Sequence, residues 1–536
     1  MDVGDRASEA LLPVPVSPYG PLDALAEQVH LMAQTGQVHE TLDALTVFEP
    51  LARAFGDTQT TGFLLQGRMF LYMYVGHFPE AIAVGEQLLN HHEATGSVVS
   101  VAKTLADMAD LYLRSGRVSE AMGNLARAGL LLEQTTVRND RYVAALSSMI
   151  RAASSAELYE TAHATYRQLL RWWSPEGRAN VTANYDLIYA DALMQWGLRL
   201  DQLGDHVEAQ AQARLRGAAA IFQRWGETYA GQDVAGPPAA LHALVLAKLG
   251  ELEQAERLAA DVVIPLRTGG DTHAAWPAHL ALGIVHRSRG DAVAARREIV
   301  AAAEVIRDSG TASEQLVVDF ELACLGELAA SEEAGRDLRN MIDRQARRLW
   351  QQRLQRVTML RQARQREEQE QARRAAEAAL LHDPLTGLGN RRRFDQLMAD
   401  LDAGRMPAPV VLLFIDVDKF KAINDRHSHG AGDRVLREIA GTLQANCRTE
   451  DIAIRYAGDE FVVFLRTDLA GAAHVAERIR ATVATAVLDD IAPGLRVSIS
   501  VGLAAHQPGM PAHELVDNAD ANLYRAKRAG RDRIAA

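Results

Sequence analysis

Cysteine is nearly missing from this chain: only Cys324 and Cys447 occur in 536 residues. Two thiols so far apart supply neither a disulfide framework nor a metal-ligand cluster, and they fit a reducing compartment. Long apolar runs are missing too; "VVLLFI", Val410 to Ile415, is only strand-sized, so no membrane span is expected. Cationic excess is absent, because 57 Lys and Arg face 69 Asp and Glu for a formal net charge of −12. Nucleic acids and anionic membranes need a broad cationic surface, so neither is expected as a partner. The start, "MDVGDRASEALLPVPVSPYG", lacks the basic end and apolar core of a secretory signal. Residues 1–20 read as a flexible tail of a cytoplasmic protein.

What is present is a globular composition, 48% hydrophobic and 24% charged, in a chain too long for one core. Several domains are therefore expected. A short pattern recurs as "TGQVHET", "VGHFPEA", "SGRVSEA" and "SAELYET", with its small residue at positions 36, 76, 116 and 156. It returns as "LGDHVEA", "LGELEQA" and "RGDAVAA", with "LGELAAS" from Leu325 a candidate last copy. Each copy separates two helix-periodic segments, which describes a helical hairpin. These signatures resemble tetratricopeptide repeats of a long-helix variety, over roughly residues 21–335. Stacked hairpins form a solenoid whose surface suits recognition of a protein, peptide or small molecule; the plainer reading is a spacer or dimerisation element.

Residues 336–381 are rich in helix formers and read as one long helical linker. Ile342, Ala346, Leu349, Val357 and Leu360 form a candidate coiled-coil seam in its first half, against the alternative of a solvated spacer. The Asp383-Pro384 step is expected to end this helix. Residues 382–536 then alternate strands and helices in an α/β pattern: "VVLLFID", a helix around 431–446, the hairpin "IAIRYAGDEFVVFL", a helix around 470–487, "RVSISVGLA" and a last helix.

Asp416 ends an apolar strand, and Asp459 and Glu460 sit at an apolar hairpin's tip. Such carboxylates can present hard oxygens to Mg²⁺, although acids also end strands simply because loops are solvated. The segment after Asp416 adds Lys421 for phosphate charge, and Asn424 and Asp433 for hydrogen bonds to a heterocycle. A helix beginning near Phe420 would aim backbone N–H groups at a phosphate chain. Lys527 and Arg531, four apart, could hold terminal phosphates or merely form a solvated face.

The segments "DPLTGLGNRRRF", "DVDKFKAINDRHSHGAGDRVL", "RYAGDEF" and "ADANLYRAKRAGRDR" resemble, in order, the signatures of the GGDEF family of diguanylate cyclases. The resemblance implies a palm-type nucleotide cyclase domain working as a homodimer, each half carrying one GTP. The 3′-hydroxyl of each nucleotide attacks the α-phosphate of the other, giving cyclic di-GMP and two pyrophosphates. It implies Asp416, Asp459 and the Val417 carbonyl as ligands of Mg²⁺ or Mn²⁺, two ions per GTP site, with Glu460 as a second essential acid. Asn424 and Asp433 match the guanine-reading pair, and Lys421, Lys527 and Arg531 the phosphate contacts. Arg448 and Asp451 of "RTED", with Arg478, align with an inhibitory product site for cyclic di-GMP.

Two positions depart from the family pattern: Ala457 and Ser428 replace glycines. Ala457 is harmless if its backbone keeps negative φ and strained otherwise. Activity is expected, with the repeats regulating it through the linker helix. The rival readings are a catalytically silent receptor for GTP or cyclic di-GMP whose repeats recruit a partner, and a pure scaffold. No phosphodiesterase domain is recognised.

Overall fold

The structure, a computed structural model, describes residues 38–174, 179–228, 236–268, 272–307, 310–326 and 332–536, with Leu22, Ala26 and Val29. The expected tail over residues 1–20, the repeat copy at Gly36 and the end of the copy from Leu325 lie outside the described residues. The chain divides into two units, residues 1–367 and 368–536. No helix among the described residues is long and apolar enough to cross a membrane.

In the first unit, helices Val38–Ala54, Thr58–Tyr74, Phe78–Ala94, Val98–Arg114 and Val118–Gln134 each have 17 residues and start at positions 38, 58, 78, 98 and 118. The turns between them place Gly56, Gly76, Gly96 and Gly116 at φ of 69–80°, backbone that side chains rarely adopt. Gly76 and Gly116 belong to the sequence pattern and close hairpins. Gly56 and Gly96 join one hairpin to the next, half a repeat away, and the pattern did not reveal them.

Successive hairpins stack through their first helices: Val98–Arg114 on Asp140–Ser155, then Ala179–Asp201, Gly236–Leu249, Trp276–Ser288 and Ala312–Gly326. Ala102, Ala106, Ala145 and Ala152 are fully buried, and their small side chains allow the close approach. A buried charge also ties three of these helices together. Glu321 on Ala312–Gly326 is fully buried and pairs with Lys248 at 2.5 Å and Arg287 at 3.0 Å.

At the fourth repeat copy the turn residue is Glu157, not the expected Ala156. Glu157 has φ 57°. Its carboxylate meets Arg199 at 2.8 Å and Arg356 at 3.3 Å, and its carbonyl accepts from Arg353 Nε at 2.8 Å. These bonds hold a left-handed backbone that glycine supplies elsewhere.

Arg353 and Arg356 come from the helix Glu332–Ala379, whose residues up to 367 lie in the first unit. Ile342 and Ala346, read as a candidate seam, are buried beside Leu316, Phe320 and Ala323. Trp350 packs with Tyr159 and Trp196, and Val357 and Leu360 lie on the main repeat core. Arg364 closes the contact with a bidentate pair to Glu133 at 2.6 and 2.8 Å. The candidate seam positions Ile342, Ala346, Leu349, Val357 and Leu360 thus face the repeats of their own chain. The helix ends at Ala379, before the Asp383-Pro384 step, and just beyond it Asn390 Nδ2 donates to the Leu380 and His382 carbonyls at 2.8 and 3.1 Å.

In the second unit, five strands lie in the order β2-β3-β1-β4-β5: β1 Val411–Val417, β2 Ile452–Ala457, β3 Glu460–Leu465, β4 Ile499–Ala505 and β5 Ile534–Ala535. β1 is antiparallel to both β3 and β4, and β5 runs parallel to β4. Val411, Leu413, Ile415 and Val417 enter the core shared with helices His429–Asn446 and Leu469–Thr485. Leu412 and Phe414 enter the other, under helices Arg391–Asp402 and Ala512–Arg528. Burial on both faces explains why β1 is continuously apolar. At Gly502 of β4 an added Cβ would lie 2.1 Å from the Ala519 carbonyl oxygen, so glycine is what lets helix Ala512–Arg528 approach. The helix Arg391–Asp402 and strand β5 were not anticipated from sequence.

Arg353 is 2% exposed and stacks over Trp350 with its guanidinium carbon 4.3 Å from the ring centroid. Arg353→Ala removes that packing and leaves the Glu157 carbonyl short of a donor. It is expected to cost about 2–4 kcal/mol, read as a lower urea midpoint for the full chain.

Candidate active site

The site grows from one ladder rung. β1 and β3 place Asp416 opposite Glu460, and the Val417 N–H donates to the Asp459 carbonyl at 3.2 Å across the hairpin end. Burial pushes the Asp416 carboxyl above its ordinary range; Lys527 opposes this, and the charges of Asp459 and Asp418 add to it. Burial likewise raises Glu460, with Asp416 adding, Lys527 opposing, and Asp459 and Asp520 adding further. Lys527 Nζ lies 2.7 Å from Asp416 Oδ2. The lysine thus relieves a crowded set of acids.

The hairpin tip is held from behind. Arg455 Nε donates to the Gly458 carbonyl at 2.9 Å, and its Nη1 pairs with Asp383 at 3.2 Å. Asp383 also takes the Thr386 N–H and hydroxyl at 2.9 and 2.7 Å. The first signature segment therefore buttresses the turn that carries Asp459. Gly458 bears the positive φ of this turn, 48°, and Ala457 does not; the alanine pairs with Glu460 just past a register shift after Arg455.

A second group of side chains follows β1. Phe420 and Asn424 stand on the helix Phe420–His427, and Gly432 and Asp433 on His429–Asn446. Asn424 Oδ1 is buried without a hydrogen-bond partner. A Cβ on Gly432 would lie 2.0 Å from that oxygen and 3.0 Å from Phe420 Cζ. Buried polar atoms are nearly always satisfied, which sets this oxygen apart. Lys421, Asp433 and Arg531 are exposed.

Ser428 joins these two helices with φ 98° and ψ 158°, a region almost reserved for glycine. Its hydroxyl accepts from Ala431 N–H at 3.4 Å. The departure at Ser428 therefore carries strain, whereas that at Ala457 does not.

The third sequence-derived group gathers elsewhere. Asp451 accepts from the N–H groups of Arg448 and Arg466 at 2.8 and 2.9 Å, leaving the Arg448 side chain exposed. Arg478 Nε donates to Asn446 Oδ1 at 2.6 Å, two residues before Arg448. Burial pushes the intervening Cys447 thiol up to about 11, with Asp451 adding and Arg478 opposing.

Asp416, Asp459, Glu460 and the Val417 carbonyl offer hard oxygens that suit Mg²⁺. Among the described residues no group of three or more His, Cys, Asp or Glu side chains could hold a metal by itself. Such a cation would draw its remaining ligands from phosphates and water. The residues sequence reasoning passed over are Arg455, Asp418 and the bracing role of Asp383; their signal is tertiary.

These features define a mixed-sheet α/β domain whose acids and one lysine converge at the carboxy end of β1. Residues 380–533 match the family described as "Diguanylate cyclase, GGDEF domain". Diguanylate cyclase DgcM of Escherichia coli K12 is 40% identical over 166 residues, 30% of this chain and 39% of that protein. Response regulator PleD of Caulobacter vibrioides is 42% identical over 161 residues, 28% of this chain and 35% of that protein. The chain thus spans well under two thirds of these relatives. The crystal structure of the GGDEF domain of DgcB from Caulobacter crescentus in complex with c-di-GMP aligns at 32% identity, covering 29% of this chain and 94% of that one, with a TM-score of 0.27. The C-terminal domain is a GGDEF domain of the diguanylate cyclase family.

Replacing Ser428 by glycine removes the strain without altering a core contact. Ser428→Gly is expected to stabilise the C-terminal domain by about 1 kcal/mol, seen as a thermal midpoint a few degrees higher than the parent's.

Proposed function

We propose that this protein is a diguanylate cyclase that condenses two GTP into cyclic di-GMP and two pyrophosphates across a homodimer. The observation that carries this reading is the convergence of Asp416, Glu460 and Lys527 at the end of β1, in a domain matching the GGDEF family.

Each residue has a task in this reading. Asp416, Asp459 and the Val417 carbonyl would hold Mg²⁺ or Mn²⁺, two ions per site, and the bound metal neutralises triphosphate charge. Glu460 is the second acid of the hairpin tip. Lys527, which pairs with Asp416, would also meet the phosphates, joined by Lys421 and Arg531. Asn424 supplies its unpartnered oxygen to the guanine amino group, and Asp433 accepts from N1–H. In-line positioning of the two nucleotides supplies much of the acceleration. Arg448, Asp451 and Arg478 form the inhibitory product site. The tetratricopeptide-like repeats bind a protein, peptide or small-molecule signal and act on the cyclase through the helix Glu332–Ala379, in a cytoplasmic protein.

Purified, nucleotide-stripped protein given GTP and Mg²⁺ is expected to release cyclic di-GMP, identified by mass spectrometry, while Asp459→Ala loses at least about 10³-fold in rate. A folded parent without product, including after removal of residues 1–335, would sink the cyclase reading and favour a nucleotide receptor.

Gly432→Ala tests the guanine pocket. Its methyl displaces the end of the Asn424 side chain rather than backbone, so the fold should persist. The KM for GTP should rise about tenfold or more, from the loss of one buried hydrogen bond.

A further inference from the structure

We propose that Asp418 is a positioning residue for Arg531, an assignment that rests on the GTP-condensing function proposed above. Asp418 follows β1 directly and is 7% exposed. Its carboxylate accepts three hydrogen bonds, from Ser498 Oγ at 2.7 Å, Ser500 Oγ at 2.8 Å and the Asp532 N–H at 3.0 Å. Its own N–H donates to the Ser498 carbonyl at 3.0 Å. Two of the carboxylate's partners therefore lie in or just before β4, and the third lies in the segment after helix Ala512–Arg528.

That segment is bracketed by bonds to the site strand. At one end Lys527 reaches Asp416 at 2.7 Å; at the other the Asp532 N–H reaches Asp418 at 3.0 Å. Arg531, between them, is exposed and free to face a ligand. Arg531 and Asp532 have φ of 59° and 46°. Two successive left-handed residues cost about 1–2 kcal/mol each and persist only where their surroundings hold them.

Five bonds do so. The Arg531 N–H donates to the Ala526 carbonyl at 3.2 Å, Arg533 Nε donates to the Arg531 carbonyl at 3.0 Å, Arg480 holds the Asp532 carboxylate at 2.5 Å, the Val501 N–H donates to the Arg533 carbonyl at 3.0 Å, and Asp418 accepts from the Asp532 N–H. Of these, only the last reaches the residue that follows β1, two positions past Asp416. β4 is joined to β1 by its ladder, and the two serines add to that junction. The bond to Asp532 has a different consequence: it sets how far the phosphate-directed guanidinium stands from the metal-directed acid.

The test is a double-mutant cycle on the full chain, with GTP turnover, binding of 3′-deoxy-GTP, which lacks the attacking hydroxyl, and thermal midpoints. Asp418→Ala is expected to raise the KM for GTP about tenfold and change kcat less than about threefold, because it acts through ground-state placement of Arg531. Adding it to Arg531→Ala should raise KM no further. Asp418→Asn keeps an acceptor for the Asp532 N–H while the serine hydroxyls rotate to meet its amide, and should restore KM to within about threefold of the parent. Asp418→Ser replaces alanine in the cycle if the alanine variant does not fold.

Multiplicative KM effects of the two substitutions, or a lower midpoint with KM unchanged, overturn the positioning role. If the parent binds 3′-deoxy-GTP, that failure leaves the proposed function standing. A parent that neither binds it nor turns over GTP overturns both.

Discussion

Two carboxylates facing each other across one rung of antiparallel sheet, Asp416 and Glu460, are the constraint around which the C-terminal domain is arranged. Like charges placed directly opposite on a sheet repel, and burial makes each harder to ionise. The fold accepts this because the strands beneath are packed on both faces. Lys527 answers the repulsion from a helix that Gly502 admits to close contact with β4. A rung that is unfavourable in isolation becomes a place where added positive charge is strongly favoured.

Backbone strain follows the same map. Among the described residues five non-glycine positions have positive φ, and four of them, Lys419, Ser428, Arg531 and Asp532, flank the candidate site. Each borders a candidate functional side chain: Phe420 after Lys419, Asn424 and Asp433 on either side of Ser428, and Arg531 itself. Strain of this kind needs a rigid surrounding to persist. Here the rigidity comes from hydrogen bonds, those of Asp418 to Ser498 and Ser500 and of Arg455 to Asp383 and Gly458.

The fifth such residue, Glu157, shows the same principle within the repeat unit. Its backbone is held by arginines, two of which arrive from far along the chain on the helix Glu332–Ala379. That helix covers apolar surface with Ile342, Ala346 and Trp350 and anchors charge with Arg353 and Arg364. Burying a cation such as Arg353 is tolerable because its partners satisfy it, and removing either side leaves the other exposed to the full desolvation cost.

The sequence by itself determined the local elements and the family. Helical periodicity around "SGRVSEA" and its relatives placed the hairpin turns, continuous apolar character in "VVLLFID" marked the central strand, and the signatures around Asp416, Asp459 and Lys527 marked a candidate site, because these depend on neighbours in the chain. Tertiary structure alone decided which residues meet. That Asn424 has an unpartnered oxygen, that Ser428 is strained while Ala457 is not, that Glu157 replaces a turn glycine, and that Asp418 ties Ser498, Ser500 and Asp532 together depend on contacts between segments far apart in sequence. Composition and spacing carry no record of such contacts; only packing of the β-sheet and stacking of the hairpins bring them about.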